Sequence, residues 1–265
     1  MRYPQFSKDR YNMQDLIDLV ALLRSENGCP WDREQTHATI RKNLIEETYE
    51  VLNALDRQDT ANLREELGDL LLQVVFHTQM EREAGRFDLE DVITELCQKL
   101  VVRHPHVFGD TGAQDSKEAL ANWDRMKKET KQQETYTETL QAVPENLPAL
   151  MRAQKLAHRA QRGGFNLTGN AQARLTEDAQ SLTDALQSAD TDRAFDRLGD
   201  LLFDVCCASK GAKLDAEEAL TRASQRFIRD FSAAEQAAME QYGKSTDALS
   251  PDQLSALWAD VRQRG

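Results

Sequence analysis

The sequence predicts an all-α protein built from two related helical domains, and three observations carry that expectation. Apolar residues recur at helical intervals through MQDLIDLVALLR, LIEETYEVLNAL, LREELGDLLLQVVFHTQM and LEDVITELCQKLVV, the spacing that lays an apolar stripe along a helix. Only six prolines and twelve glycines interrupt 265 residues, and alternating strand-like runs with tight-turn dipeptides are scarce. A block of the first half also returns in the second half at a fixed offset.

Taken in order, the first helix is expected over MQDLIDLVALLR and stops ahead of Asn27-Gly28-Cys29-Pro30, where glycine and proline end it. LIEETYEVLNAL and LREELGDLLLQVVFHTQM follow, the latter closed by Ala84-Gly85-Arg86. LEDVITELCQKLVV then runs to His104-Pro105, with a further break from Gly109 to Gly112. These breaks leave helices of roughly 12 to 20 residues. The polar stretch KETKQQETYTE, residues 128–138, precedes Pro144 and Pro148 and reads as a linker or an exposed helix with a hinge.

Beyond it the pattern restarts. LIEETYEVLNAL at 44–55 matches RLTEDAQSLTDAL at 174–186, and REELGDLLLQVVF at 64–76 matches FDRLGDLLFDVCC at 195–207. Glu46 to Glu177 and Asp69 to Asp200 are both steps of 131 residues, and Trp123 to Trp258 is a step of 135. A constant offset through a gapless block argues duplication of one helical unit. The expected domains are 1–140 and 141–265.

The net charge of −12 and a pI near 5.0 exclude a sequence-independent nucleic-acid binder, which needs a basic surface. A small phosphorylated ligand stays open, because it needs only local cations and a metal. Cys29, Cys97, Cys206 and Cys207 form no CxxC pair, so reduced thiols are expected rather than a zinc site or disulfides. MRYPQFSKDRYN has no apolar targeting core, and no run approaches membrane-spanning length. The expectation is a soluble cytoplasmic protein with no membrane and no nucleic-acid partner.

Chemistry concentrates in two acidic clusters, Glu46, Glu47 and Glu50, then Glu66 and Asp69, each inside an apolar run. Glu47 with Glu50, and Glu66 with Asp69, share a helix face, and two antiparallel helices would bring the pairs together. Converging carboxylates either take up protons or hold a hard cation such as Mg²⁺ or Mn²⁺. The alternative is a solvated acidic face, which suits Glu65 and Glu81 better than pairs at one-turn spacing beside large apolar residues. The second copy is different: Ser181 stands at the place of Glu50 and Arg197 at that of Glu66, while Glu177, Asp178 and Asp200 keep an acid. The chemistry is therefore expected in the first copy.

Lys99 and Arg103 are four residues apart and can neutralise phosphate oxygens, or they are a solvated basic helix end. Trp123 with Arg125, Lys127 and Lys128 offers a base platform with cations nearby, although a tryptophan in a small helical domain is more often core. His104 and His106 are not assigned to a metal. Glu34 and His37 form the only ExxH of the first half, whereas di-iron bundles need that element twice.

EExxE at Glu46–Glu50, followed after fifteen residues by ExxD at Glu66–Asp69, resembles the MazG nucleoside triphosphate pyrophosphohydrolases. The resemblance continues through NGCPWDREQT, GRFDLEDV, KLVVRHPHVFGD and ALMRAQK, and so covers nearly the whole chain. It implies MazG-like helical domains that form a four-helix bundle on dimerisation, a homodimer, and Mg²⁺-dependent hydrolysis of nucleoside triphosphates to monophosphate and pyrophosphate. It implies Glu47, Glu50, Glu66 and Asp69 as metal ligands, with Glu46 as a further ligand or a water-orienting base. Lys99 and Arg103 would touch the triphosphate and Trp123 the base side, with Lys127 as a further substrate contact. Some members of that family work through the C-terminal domain, where this chain keeps Arg226 and Trp258 but has Ser181 and Arg197 at ligand positions.

Overall fold

The computed structural model describes residues 3–109, 112–130, 135–167 and 169–264, the side chains at 124, 128 and 264 excepted. These residues form helices and no strand. They fall into two compact units, within 1–130 and within 131–265. The division comes earlier than residue 140 because α8 (Tyr136–Gln141) packs on α9 (Ala149–Arg162). Residues 131–134 of the expected linker, and residues 110 and 111 of the expected break, lie outside the described residues.

The first unit holds α1 (Met13–Arg24), the short α2 (Pro30–Glu34), α3 (Arg41–Asp56), α4 (Thr60–Glu83), α5 (Leu89–Arg103), the single turn α6 (Pro105–Phe108) and α7 (Ser116–Thr130). Asn12 and Asp88 open α1 and α5 with capping boxes closed by Asp15 and Asp91. The break expected after α1 contains a true glycine requirement: a Cβ on Gly28 would sit 2.1 Å from the Leu22 carbonyl oxygen. Pro30 then starts α2 at a position where its missing N–H costs nothing.

Val20, Ile40, Val75, Phe76, Met80 and Leu89 form the core of this unit, with Leu16, Ile17 and Leu72 against it. That core gathers around the C-terminal half of α4. Arg24 locks the α2 loop to it. Its guanidinium donates to Glu83 at 2.8 and 2.9 Å and to the Asp32 and Gln35 carbonyls at 2.7 and 3.2 Å, over the face of Phe76. Burial alone would raise the Glu83 carboxyl, but hydrogen bonds from Arg24 and Gln79 hold it below its ordinary value.

The second unit adds α10 (Ala171–Gln187), α11 (Thr191–Gly211), α12 (Ala216–Tyr242) and α13 (Pro251–Arg264). Its α10/α11 hairpin repeats the α3/α4 hairpin in detail. Gln58 and Ala189, 131 residues apart, both take left-handed backbone at φ 56° and 55°. The next residues, Asp59 and Asp190, both cap the following helix. Ala54, Val75 and Phe76 are buried, and so are Ala185, Cys206 and Cys207 at the same offset. All four cysteines are free thiols, and burial pushes the Cys206 thiol up to about 11. Among the described residues no helix is long and apolar enough to cross a membrane.

Candidate active site

The α3/α4 turn decides which carboxylates meet. In an antiparallel helical hairpin, residues equally distant from the turn face one another. Glu47 and Asp69 each lie eleven residues from Gln58, and Glu50 and Glu66 each lie eight. One turn of helix separates the two pairs, so four acids gather on the facing sides. Carboxylate oxygens of Glu47, Glu66 and Asp69 all lie within 4.8 Å of one another, with Glu47 and Glu66 half-buried and Asp69 exposed.

Crowding is visible in their protonation. Burial, then the charges of Asp69, Glu50 and Glu46, push the Glu47 carboxyl above its ordinary value. Burial, then Glu50, Asp69 and Glu65, do the same to Glu66. Glu50 lies within hydrogen-bonding reach of both Glu47 and Glu66. A divalent cation supplies the opposite charge that this set lacks, and an all-oxygen donor group suits Mg²⁺ or Mn²⁺. The residues therefore fit the metal that the resemblance implies. Glu46 is exposed and stands outside the close triad, adding its charge to Glu47.

The cationic and aromatic candidates form a second group at α5, α6 and α7. Lys99 is exposed, whereas Arg103, one turn on, is buried with its guanidinium 5.3 Å above the Trp123 ring. The His104 ring meets Trp123 edge-on at 4.8 Å, held by its Nδ1 donating to the Leu100 carbonyl at 2.6 Å. Trp123 is thus a half-buried platform already carrying two side chains of its own unit, and Lys127, one turn further along α7, is half-buried too.

The second hairpin neutralises its acids with arginine instead. Arg197 bonds Asp200 at 3.0 Å, and Arg174 bonds Asp204 at 2.7 Å. Burial and the neighbouring Asp204, Asp200 and Glu177 push Asp178 up. Among the described residues, Glu47, Glu66 and Asp69 are the one group of three or more metal-ligating side chains close enough to hold an ion.

One cluster carried no signal in the sequence. His37 and His77 stack with their Nδ1 atoms 2.7 Å apart, and His37 Nε2 lies 2.6 Å from Glu81. Arg86 bonds the same carboxylate and, more than any other neighbour, holds Glu81 down at about 2. Burial, then His37, lower His77. The forty-residue separation of the histidines hides the pair from any local pattern.

Comparison with known proteins bears on this geometry directly. The model of the MazG nucleotide pyrophosphohydrolase domain matches residues 35–108, the span that holds the whole acidic set. The chain is 40% identical over 254 residues to the nucleoside triphosphate pyrophosphohydrolase of Escherichia coli strain K12, covering 94% of this chain and 96% of that protein. It is 35% identical over 251 residues to the nucleoside triphosphate pyrophosphohydrolase/pyrophosphatase MazG of Thermotoga maritima, covering 94% and 95%. With identity at that level along nearly the full length of both relatives, and the acidic hairpin inside the matched domain, the chain belongs to the MazG nucleotide pyrophosphohydrolase family.

Proposed function

We propose that this chain is a Mg²⁺-dependent nucleoside triphosphate pyrophosphohydrolase of broad specificity, a nucleotide-pool housecleaning enzyme whose site is the α3/α4 hairpin. The observation that carries the reading is the Glu47, Glu66 and Asp69 cluster with Glu50 in contact. Those four residues would hold the metal, which when bound supplies charge neutralisation at phosphate oxygens and a more acidic water. Glu46, outside the close triad, would orient the attacking water and accept its proton. In-line addition of water at the α-phosphorus breaks the bond to the β-phosphate bridge and releases monophosphate and pyrophosphate. Lys99 and Arg103 counter the charge on the departing group, and Trp123 and Lys127 serve the base side.

The reading extends to assembly. Ile45, Tyr49 and Leu52 on α3, with Leu67, Leu71 and Val74 on α4, are large apolar side chains left exposed by their own unit, and a second copy of the hairpin would complete a four-helix bundle. Free thiols and a nucleotide substrate suit the cytoplasm. In the second unit, the arginine-paired hairpin supports a MazG-like domain whose metal site is degraded.

The test is pyrophosphate release from a panel of ribo- and deoxyribonucleoside triphosphates. Glu50→Gln keeps shape and helix propensity and should cut turnover about a hundredfold or more. Wild-type turnover in that variant would remove Glu50 from the site. Release confined to dUTP or dCTP would replace broad with narrow specificity, and nucleotide binding without release would make the protein a binder rather than an enzyme.

A further inference from the structure

The imidazole rings of His37 and His77 are parallel within 1° and meet through their Nδ1 atoms at 2.7 Å. Two ring nitrogens at that distance are held by one proton, donated from one ring to the lone pair of the other. The neighbouring carboxylate says which ring donates. Glu81 accepts from both Nε and Nη2 of Arg86, which the left-handed Gly85 (φ 68°) turns back across the end of α4. A carboxylate so paired is ionised and only accepts, so His37 Nε2, 2.6 Å from it, carries a proton. With both rings neutral, His37 Nδ1 is then the bare nitrogen, His77 Nδ1–H is the donor, and His77 Nε2 has no proton.

Counting protons shows what acid does to this bridge. A first added proton goes to His77 Nε2 and leaves the bridge whole, because His77 Nδ1 still donates to His37 Nδ1. A second has to go to His37 Nδ1, and two N–H groups then point at each other between two cations. Arg86 already neutralises the carboxylate that would offset them. The other charges nearby do not help: Glu83 on α4 is committed to Arg24 of α1, and Arg41 and Lys42 at the start of α3 are exposed and bond neither ring.

The bridge holds a defined piece of chain. Residues 35–40 join α2 to α3, and Arg24 fixes one end at the Gln35 carbonyl while buried Ile40 fixes the other in the core. Residues 36–39 between them are exposed, and His37 is the side chain that bonds this stretch to α4. Of these three ties, the histidine is the one that titrates near neutrality.

We propose that His37 and His77 form an acid-released latch on the segment leading into α3, closed while the two rings share one Nδ1 proton and open when both are cationic. Neither histidine belongs to the acidic set, so the latch stands independently of the proposed turnover. Burial, then His37, hold His77 below its ordinary 6.5. The stability that His77 contributes is therefore complete above 6.5 and is lost as pH falls from there through the folded value.

The experiment is NMR on the full chain, combining imidazole nitrogen shifts with amide hydrogen exchange. Near about pH 8, His37 should show the Nε2–H tautomer and His77 the Nδ1–H tautomer. Between about pH 8 and about pH 5, exchange at the Thr36, Thr39 and Ile40 amides, corrected for its intrinsic pH dependence, should speed up about fivefold or more. Val75 and Phe76 in α4 should stay protected throughout. His77→Phe and His37→Phe should each show the fast exchange already near about pH 8, with no further response to acid. Identical tautomers for the two rings, or unchanged exchange in the wild type, would overturn the proposal without any variant having to fold. So would a wild-type acid response in either variant, or simultaneous loss of protection at Val75 and Phe76, which would mean global acid unfolding instead of a latch.

Discussion

Glu47 and Glu66 carry folded-state pKa values above the ordinary 4.5, from burial first and then from the neighbouring acids. A carboxyl of that kind binds its proton more tightly in the folded chain than in the unfolded one. Its contribution to stability is therefore present below 4.5 and is lost as pH rises through the folded value. At neutral pH without metal the cluster works against the fold, and a bound divalent cation reverses this. Millimolar Mg²⁺ should raise the melting temperature by a few degrees near about pH 8 and by much less near about pH 5, where protons compete with the ion. A larger shift at the acid end, read by thermal unfolding, would sink the assignment. The same-face pairs behind this were legible in the sequence, because residues three apart on a helix meet whatever the tertiary structure does. Arg24 with Glu83, 59 residues away, and His37 with His77 were not, since no local spacing encodes them.

At the level of elements, the hairpin turn is the feature that converts two acidic stripes into one cluster, and it is built the same way twice. Gln58 and Ala189 hold left-handed backbone that costs a side-chain-bearing residue about 1–2 kcal/mol. Glycine removes that cost and returns part of it as unfolded-chain entropy. Gln58→Gly and Ala189→Gly should each stabilise the protein by about 0.5–1 kcal/mol, seen as a higher urea midpoint. A lower midpoint for either would mean the turn is not left-handed there. The helices themselves were foreseen from periodicity, and the Gly28–Pro30 break was foreseen from composition. That the break contains the short α2, pinned by Arg24, was not, because a five-residue helix has too few positions to show a period.

For the molecule as a whole, the proposed dimer rests on the exposed apolar faces of α3 and α4. Ile45 and Leu71 lie at the same level of the hairpin, thirteen residues either side of Gln58, and are 50% and 36% exposed. Ile45→Lys combined with Leu71→Lys should convert a dimer to a monomer by light scattering and leave helicity unchanged. A wild type that is monomeric at micromolar concentration would refute the bundle. The duplication fits the same scheme, since the repeat keeps the buried positions and the turn while Arg197 and Arg174 take over charge compensation.

By itself the sequence determined the helical class, the 131-residue repeat and the acidic set, because periodicity and side-chain spacing along a helix are local properties. The tertiary structure decided that Glu47 meets Asp69 and Glu50 meets Glu66, since the turn at Gln58 fixes the register between helices. It alone separated exposed Lys99 from buried Arg103 on one helix face, and brought Arg103 and His104 onto the Trp123 ring. Burial depends on what packs against a residue from elsewhere in the chain, and no pattern along one helix carries that information.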